Sequence, residues 1–486
     1  MKIKYLPFLV VGLFATTLFF SSCLNDEVEE IVLPAETSIT SFTIGTVNME
    51  KTMKDSLGKD STYIDTVNCA HYPFTIDQLK RTIENKDSLP VGSDVSRILV
   101  DIEADTRAIV YEKRNKEGVS KDTIWSPTDS IDFTRPVAFK VLAQNGMTGQ
   151  PYIVKVNVHQ QIPDTLEWSH FTSPRFVSSK LDKQQSVFYN NALYTFGTKD
   201  DGSVVVEMLP INNVKTASWK EVTTLPKGTN TYSFQVWKNM LFFVADGKLY
   251  RLYTEAEVSF QQVGNLDNLR SIINYGNLSA NQEVLFAYTN NKQVVALQED
   301  GTLMQDEPFD FIDGITFDTD RLSTVTFAAK HNKSLTRTVA LCNSTAANDT
   351  IASAFSYTTY DDKWGKLSIQ QPTICPNLEN ISMIHYDNKL YAFGGSDPSG
   401  RVKPFEHFYC SLDNGLTWKE VNKQMIFPQE DSSKHPDVRP FANYYTPNVE
   451  GSYSTCVDNN HFIWIIWENG NVTKGRLNRL GFVQKW

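Results

Sequence analysis

The segment Asn191-Ala192-Leu193-Tyr194-Thr195-Phe196-Gly197 returns downstream as Asn388-Lys389-Leu390-Tyr391-Ala392-Phe393-Gly394. No other feature of the chain constrains its fold as strongly as this repeat. A second element follows each copy: Ser218-Trp219-Lys220-Glu221-Val222 in the first case, Thr417-Trp418-Lys419-Glu420-Val421 in the second. Trp219 lies 22 residues after Gly197, and Trp418 lies 24 after Gly394. Looser copies of the first element begin at Asn239, Gln282, Thr336 and Asn460, so the six starts are 48, 43, 54, 52 and 72 residues apart. An apolar strand, a glycine turn and a tryptophan strand at a period near 50 describe β-propeller blades. One small sheet cannot bury both of its faces, so the sheets stack face to face around an axis. Six starts imply six blades within 161–486. The long last interval holds an insertion at 422–450, rich in polar residues and prolines. Leu166-Glu167-Trp168 and Phe482-Val483 both have the pattern of an outer strand that closes a ring, which leaves five or seven blades as alternatives.

At 486 residues the chain is too long for one ordinary domain and suits two or three. Residues 37–160 also have a β pattern. Val137, Phe139 and Val141 alternate with Ala138, Lys140 and Leu142. A turn at Asn145-Gly146 follows, and Tyr152, Val154, Val156 and Val158 then alternate with Ile153, Lys155, Asn157 and His159. Two alternating runs around an Asn-Gly turn predict a hairpin with one apolar face. Residues 160–168, with Pro163 inside them, read as a linker.

Three resemblances refine this reading. The stretch Asp132-Phe133-Thr134-Arg135-Pro136-Val137-Ala138-Phe139-Lys140-Val141, with its hairpin, resembles the bacterial Ig-like sandwiches near the N-terminus of many Bacteroidota surface lipoproteins. That resemblance implies a spacer or adhesion unit. Gly394-Gly395 with Tyr409 and Trp418 resembles the kelch pattern. Ser411-Leu412-Asp413-Asn414-Gly415-Leu416-Thr417-Trp418 resembles the Asp-box of sialidase-like propellers. It implies a structural hairpin held by Ser411, Asp413, Gly415, Thr417 and Trp418, away from any catalytic centre. The expected fold is therefore all-β: an N-terminal Ig-like β-sandwich followed by a β-propeller.

The N-terminus addresses the chain. Lys2 and Lys4 precede an apolar run over 5–20, followed by Ser21-Ser22-Cys23 and the acids Asp26, Glu27, Glu29 and Glu30. The run is too short for a membrane span and has the form of a secretory signal. The small residues before Cys23 resemble the lipobox of bacterial lipoproteins, with Phe20 where leucine is usual. The acidic run resembles the surface-export signal of Bacteroidota lipoproteins. The expectation is a signal peptide at 1–22, a lipidated acidic tether at 23–36 with its acyl chains on Cys23, and an outer-membrane, surface-exposed location.

Composition argues against several functions. Lys+Arg number 46 against 56 Asp+Glu, and no basic stripe exists, so nucleic acid is not an expected partner. Cys69, Cys342, Cys375, Cys410 and Cys456 are widely spaced and form no CxxC, which supports neither a disulfide scaffold nor a zinc site. The histidines, among them His407 and His435, form no HxH or HExxH, and GxSxG, P-loop and GxGxxG motifs are absent. The acids of 310–320 lack the spacing of a calcium loop. The early Arg-Ile-Pro motif of sialidases is missing, and Arg439-Pro440 does not replace it. No catalytic residue, metal or cofactor is expected. The expected function is binding or adhesion, with a glycan or an envelope protein as ligand of the propeller loops. A glycosidase or lyase is the alternative. Trp464 and Trp467 are expected in blade core. Tyr444 and Tyr445, in the insertion, are the candidates for an exposed aromatic contact.

Overall fold

The computed structural model describes residues 32–54, 60–115, 118–255, 257–279, 282–305, 308–309, 311, 316–317, 319, 321–346, 349–360, 362–367, 373–430 and 437–482. Cys23 and the acidic tether up to Glu30 lie outside them, as do His435 and Asp310, Asp313, Asp318 and Asp320. The chain divides into two compact units between Ile162 and Pro163.

The N-terminal unit is built on two sheets and a two-stranded ribbon of Val47–Lys54 with Asp60–Val67. The smaller is ordered Ile39–Ile44, Ile98–Ala104, Ser130–Ile131. The larger is ordered Phe74–Asp77, Thr82–Asn85, Tyr152–Lys155, Val137–Leu142, Ala108–Arg114, Ser120–Ile124. The hairpin read from the sequence forms, with Val137 opposite Val154 and Phe139 opposite Tyr152. Because side chains alternate along a strand, Val137, Phe139, Val141, Tyr152 and Val154 all turn to one face and are buried there. Phe42 of the smaller sheet meets Phe139 of the larger edge to face, with ring centroids 6.1 Å apart. The two inner faces thus share one core.

The C-terminal unit is a propeller of six sheets. Every copy of the repeat becomes the second strand of a blade: Ala192–Thr198, Met240–Ala245, Glu283–Thr289, Asn332–Cys342, Lys389–Phe393 and Ile463–Trp467. Those strands are apolar because each is covered on both faces by neighbouring blades. Trp464 and Trp467 show the geometry: they are three residues apart, point to opposite faces, and enter two different cores. Among the described residues the third blade has three strands, with isolated bridges at Leu303 and Phe309 beside its third.

The ring is closed by the N-terminal candidate. Leu166–Phe171 pairs antiparallel with Val472–Leu477, from Leu166 opposite Leu477 to Phe171 opposite Val472. The sixth blade therefore combines strands from both ends of the unit, and Phe482 lies beyond the closing pair. The insertion is less polar in structure than in composition. Met425, Phe427, Val438, Phe441 and Tyr445 are buried in the core shared by the fifth and sixth blades. Each large apolar side chain buried in this way stabilises by roughly 1.5–3 kcal/mol.

Candidate functional site

The six innermost strands are Asp182–Tyr189, Gln235–Trp237, Leu269–Asn277, Ser323–Ala329, Ser382–Tyr386 and Tyr453–Val457. All of them contribute to the wall of a channel of about 410 Å³. A serine recurs in or just before each of these strands: Ser186, Ser233, Ser271, Ser323, Ser382 and Ser454. Some of them link blades. Ser186 and Ser454 hydroxyls meet at 2.6 Å, and the Met383 amide donates to Ser323 Oγ at 2.7 Å.

The N-terminal ends of these strands bring polar groups together at one mouth. Asn380, with φ +52°, is the organiser. Its side-chain nitrogen donates to Tyr445 Oη at 3.0 Å and to the Val449 carbonyl at 2.7 Å, and its side-chain oxygen accepts from the Gly451 amide at 2.8 Å. Its carbonyl accepts from Tyr453 Oη at 2.8 Å and from Arg321 Nη2 at 3.2 Å. Gly451 (φ +60°) allows the closest approach: a Cβ there would fall 2.8 Å from Tyr232 Oη, Lys183 Cα and the Gln184 amide nitrogen. Lys183, Gln184, Tyr232 and Gly451 therefore converge on one point, and the Lys183 ammonium lies 3.5 Å from Glu450.

The arrangement leaves polar atoms unsatisfied. Gln184 is buried, its side-chain oxygen accepts from Ser454 Oγ at 3.0 Å, and its Nε2 has no partner among the described residues. The buried hydroxyl of Tyr232 also lacks a hydrogen bond of ordinary geometry. Burial pushes its pKa well up, with Arg321 opposing the shift and Glu450 adding to it. The Arg321 guanidinium sits 5.7 Å from the centroid of the Tyr232 ring. Sequence reading named none of Gln184, Tyr232 and Arg321. The signal that could have found the channel is the recurring serine.

The Asp-box residues lie elsewhere. Ser411 Oγ donates to Asp413 Oδ1 and accepts from the Gly415 amide, both at 2.8 Å. Thr417 donates its amide to Asp413 Oδ1 at 2.8 Å and its hydroxyl to Oδ2 at 2.5 Å. Burial raises the Asp413 pKa, but the bonds from Thr417 and Ser411 outweigh it and hold the carboxyl below its usual range. Gly415 supplies φ +96°, and Trp418 is buried with its indole N–H on the Gly415 carbonyl at 3.0 Å. None of the five lines the channel. Asn414 reaches a separate cleft of about 500 Å³ with Phe327, Arg337 and Tyr360.

The expected aromatic contact in the insertion is corrected. Tyr445 is buried, because it packs on Phe405 and Tyr453 and binds Asn380. Tyr444 is half-buried, stacked on His170 with ring centroids 4.0 Å apart and 12° between planes. His407 lies in a loop between Glu406 and Glu420, at 3.7 and 3.5 Å.

Fold and channel define the class: an all-β chain whose C-terminal unit is a six-bladed propeller. The model of the DUF6242 beta propeller domain matches residues 162–485, and that of the DUF6242 N-terminal domain matches residues 42–156. The chain belongs to the DUF6242 family. No curated protein matches it. Among solved structures it is similar to a carbohydrate-active enzyme of family AA12 from Trichoderma reesei, at 9% identity and TM-score 0.37, covering 66% of this chain and 99% of that one. It is similar to virginiamycin B lyase from Staphylococcus aureus, at 11% identity and TM-score 0.31, covering 64% and 99%. It is also similar to an α-L-arabinofuranosidase from Fusarium graminearum, at 9% identity and TM-score 0.37, covering 65% and 99%. At these TM-scores none of the three bears on what this chain does.

Proposed function

We propose that the propeller is a binding module that takes the end of a glycan into the channel mouth formed by Gln184, Tyr232, Arg321 and Asn380. One observation carries this reading: all six innermost strands line the channel and give it a wall rich in amide and hydroxyl side chains, among them Gln184, Ser186, Gln235, Asn274, Thr324 and Thr326. A concave wall with convergent hydrogen-bonding groups suits a hydroxyl-rich molecule. A channel of about 410 Å³ suits a few sugar rings better than the flat face of an envelope protein. On this reading the chain is exported and held to the outer membrane by acyl chains on Cys23, and the N-terminal unit is an Ig-like spacer. Glu450, beside Tyr232, is the feature that favours the alternative of a glycan-active enzyme. A glycan array with the soluble chain tests the reading, with Tyr232→Phe as the control expected to lose signal. Binding of an envelope protein in place of any glycan would refute it. So would glycan turnover that Glu450→Gln abolishes.

A further inference from the structure

We propose that the propeller carries a second docking site, a cleft of about 500 Å³ between its fourth and fifth blades that takes an acidic peptide segment of a partner protein, anchored by an apolar side chain. The site is independent of what the channel binds. The channel mouth is built on the N-terminal ends of the innermost strands. The cleft lies at the C-terminal ends of two of them, Ser323–Ala329 and Ser382–Tyr386, and on nearby turns. Strand length opens it. Asn332–Cys342 of the fourth blade has 11 residues, and its counterpart Lys389–Phe393 in the fifth has 5. The fifth blade covers Val339 and Leu341 but stops short of the hairpin tip, where Asn332 to Leu335 are exposed. Cross-strand register puts Phe327, Arg337 and Thr358 in one row, on the face turned to the fifth blade. Phe327 stacks there on His385, with ring centroids 4.5 Å apart and 7° between planes. Burial lowers the His385 pKa, so this ring adds apolar floor and no charge at neutral pH.

The cleft has the parts such a peptide needs. Phe327, Leu335 and Tyr360 give it an apolar bed, and Tyr360 is 87% exposed. Asn388 and Asn414 line it from turn positions at φ +58° and +62°, and neither side-chain amide has a hydrogen-bond partner among the described residues. A carboxamide both donates and accepts, as a peptide unit does. The nearby hydroxyls are spent. Thr336 Oγ1 accepts from the Asn277 amide at 2.8 Å, and Thr359 Oγ1 donates to the Asn277 carbonyl at 2.7 Å. These bonds leave little for sugar hydroxyls, and they brace the hairpin tip against the third blade, so the bed is preformed. The charge is one-sided. No Asp or Glu occurs between Asp320 and Asp349, a stretch that holds Lys330, Lys333 and Arg337 in a chain of net charge −10. Lys330 and Arg337 line the cleft, and neither has an ion pair among the described residues. Neighbouring carboxylates are committed elsewhere: Asp387 to Arg479, Asp413 to Ser411 and Thr417, Asp362 to Tyr357 and Ser279. Asp361 lies outside the described residues. Unopposed cations around an apolar bed complement a ligand that brings carboxylates and an apolar group together.

Fluorescence anisotropy on the full chain tests this with short labelled peptides of equal length: glutamates flanking one phenylalanine, glutamates flanking one alanine, and lysines flanking one phenylalanine. The first is expected to bind about tenfold more tightly than either of the others. Arg337→Gln and Tyr360→Ala should each weaken it by about tenfold. Both are to be compared at an unchanged melting temperature. If Arg337→Gln fails to fold, Lys330→Gln, at an exposed position, takes its place and should weaken binding by a smaller factor that added salt erases. Equal binding of the lysine peptide would overturn the charge complementarity, and equal binding of the alanine peptide would overturn the apolar anchor. Binding of the first peptide that neither the cation variant nor Tyr360→Ala weakens would place it outside the cleft and end the proposal. So would a failure of all the peptides to bind, or capture of an oligosaccharide in their place that Tyr360→Ala abolishes.

Discussion

His170 should make the propeller lose stability in mild acid. It lies on the closing strand with its Nδ1 2.7 Å from Thr473 Oγ1, an oxygen that already accepts from Trp467 Nε1 at 2.8 Å. One ring face is covered by Tyr444, and the buried Nε2 has no partner among the described residues. A proton on this ring would put a charge in a site with nothing to receive the second N–H. Burial therefore lowers the pKa from 6.5 to about 4, against a smaller upward pull from Asp437. The sign follows directly. Above the unfolded pKa the ring is neutral in both states and its contribution is intact. Between the two values only the unfolded chain takes the proton, so stability falls with pH, and below the folded value the loss is complete. The difference corresponds to about 3 kcal/mol in full and about 2.5 kcal/mol by pH 4.5. Urea unfolding followed by tryptophan fluorescence at pH 7.5, 5.5 and 4.5 reads it, with His170→Phe as the comparison. Phenylalanine keeps the stack on Tyr444 and leaves Thr473 bonded to Trp467 but cannot titrate. At pH 7.5 the variant should be about 1 kcal/mol less stable for the lost hydrogen bond. At pH 4.5 it should be the more stable of the two. Curves that fall in parallel with pH for both proteins would refute the argument.

Asp413→Ala should lower propeller stability by about 1–2 kcal/mol as Thr417 loses its acceptor, and Trp418→Ala by about 3–5 kcal/mol; thermal melts check both, and ligand affinity should be retained in the folded fraction. Glu207, fully buried, accepts from the Val177 and Ser178 amides at 2.7 and 2.9 Å. Glu207→Ala strands both amides and should cost about 2–4 kcal/mol, measured by urea denaturation. Cys23→Ala should move the protein from the detergent phase to the aqueous phase on Triton X-114 partitioning of whole cells, and unchanged partitioning would remove the lipid anchor.

The second strands of the blades were legible in the sequence because all six occupy the same environment, covered on both faces, and so have the same apolar pattern. The N-terminal hairpin was legible because alternation and an Asn-Gly turn specify it locally. The channel mouth was not. Gln184, Tyr232 and Arg321 hold equivalent places before or within innermost strands but share no residue type, and their convergence depends on ring closure, which no local pattern encodes. Even the recurring serine has no fixed spacing. Tyr444 and Tyr445 misled for a related reason. A polar, proline-rich insertion suggests solvent exposure, yet Phe427, Phe441 and Tyr445 fill a seam between two blades that only the folded ring creates.

The order of synthesis gives the closing strand a long wait. Leu166–Phe171 emerges before any blade, and its partner Val472–Leu477 emerges after every blade but the last is complete. Through that interval both of its backbone edges are open to pairing with a second chain. Glu167 and Ser169, the exposed positions in its alternating pattern, are where polarity can blunt that hazard without touching Leu166 and Trp168, which the finished core needs. The same timing means that a chain cut short before Val472 does not become a smaller propeller. It keeps a strand with no berth and a last blade reduced to Tyr453–Val457 and Ile463–Trp467, a product suited to removal by proteases rather than to service with one blade fewer.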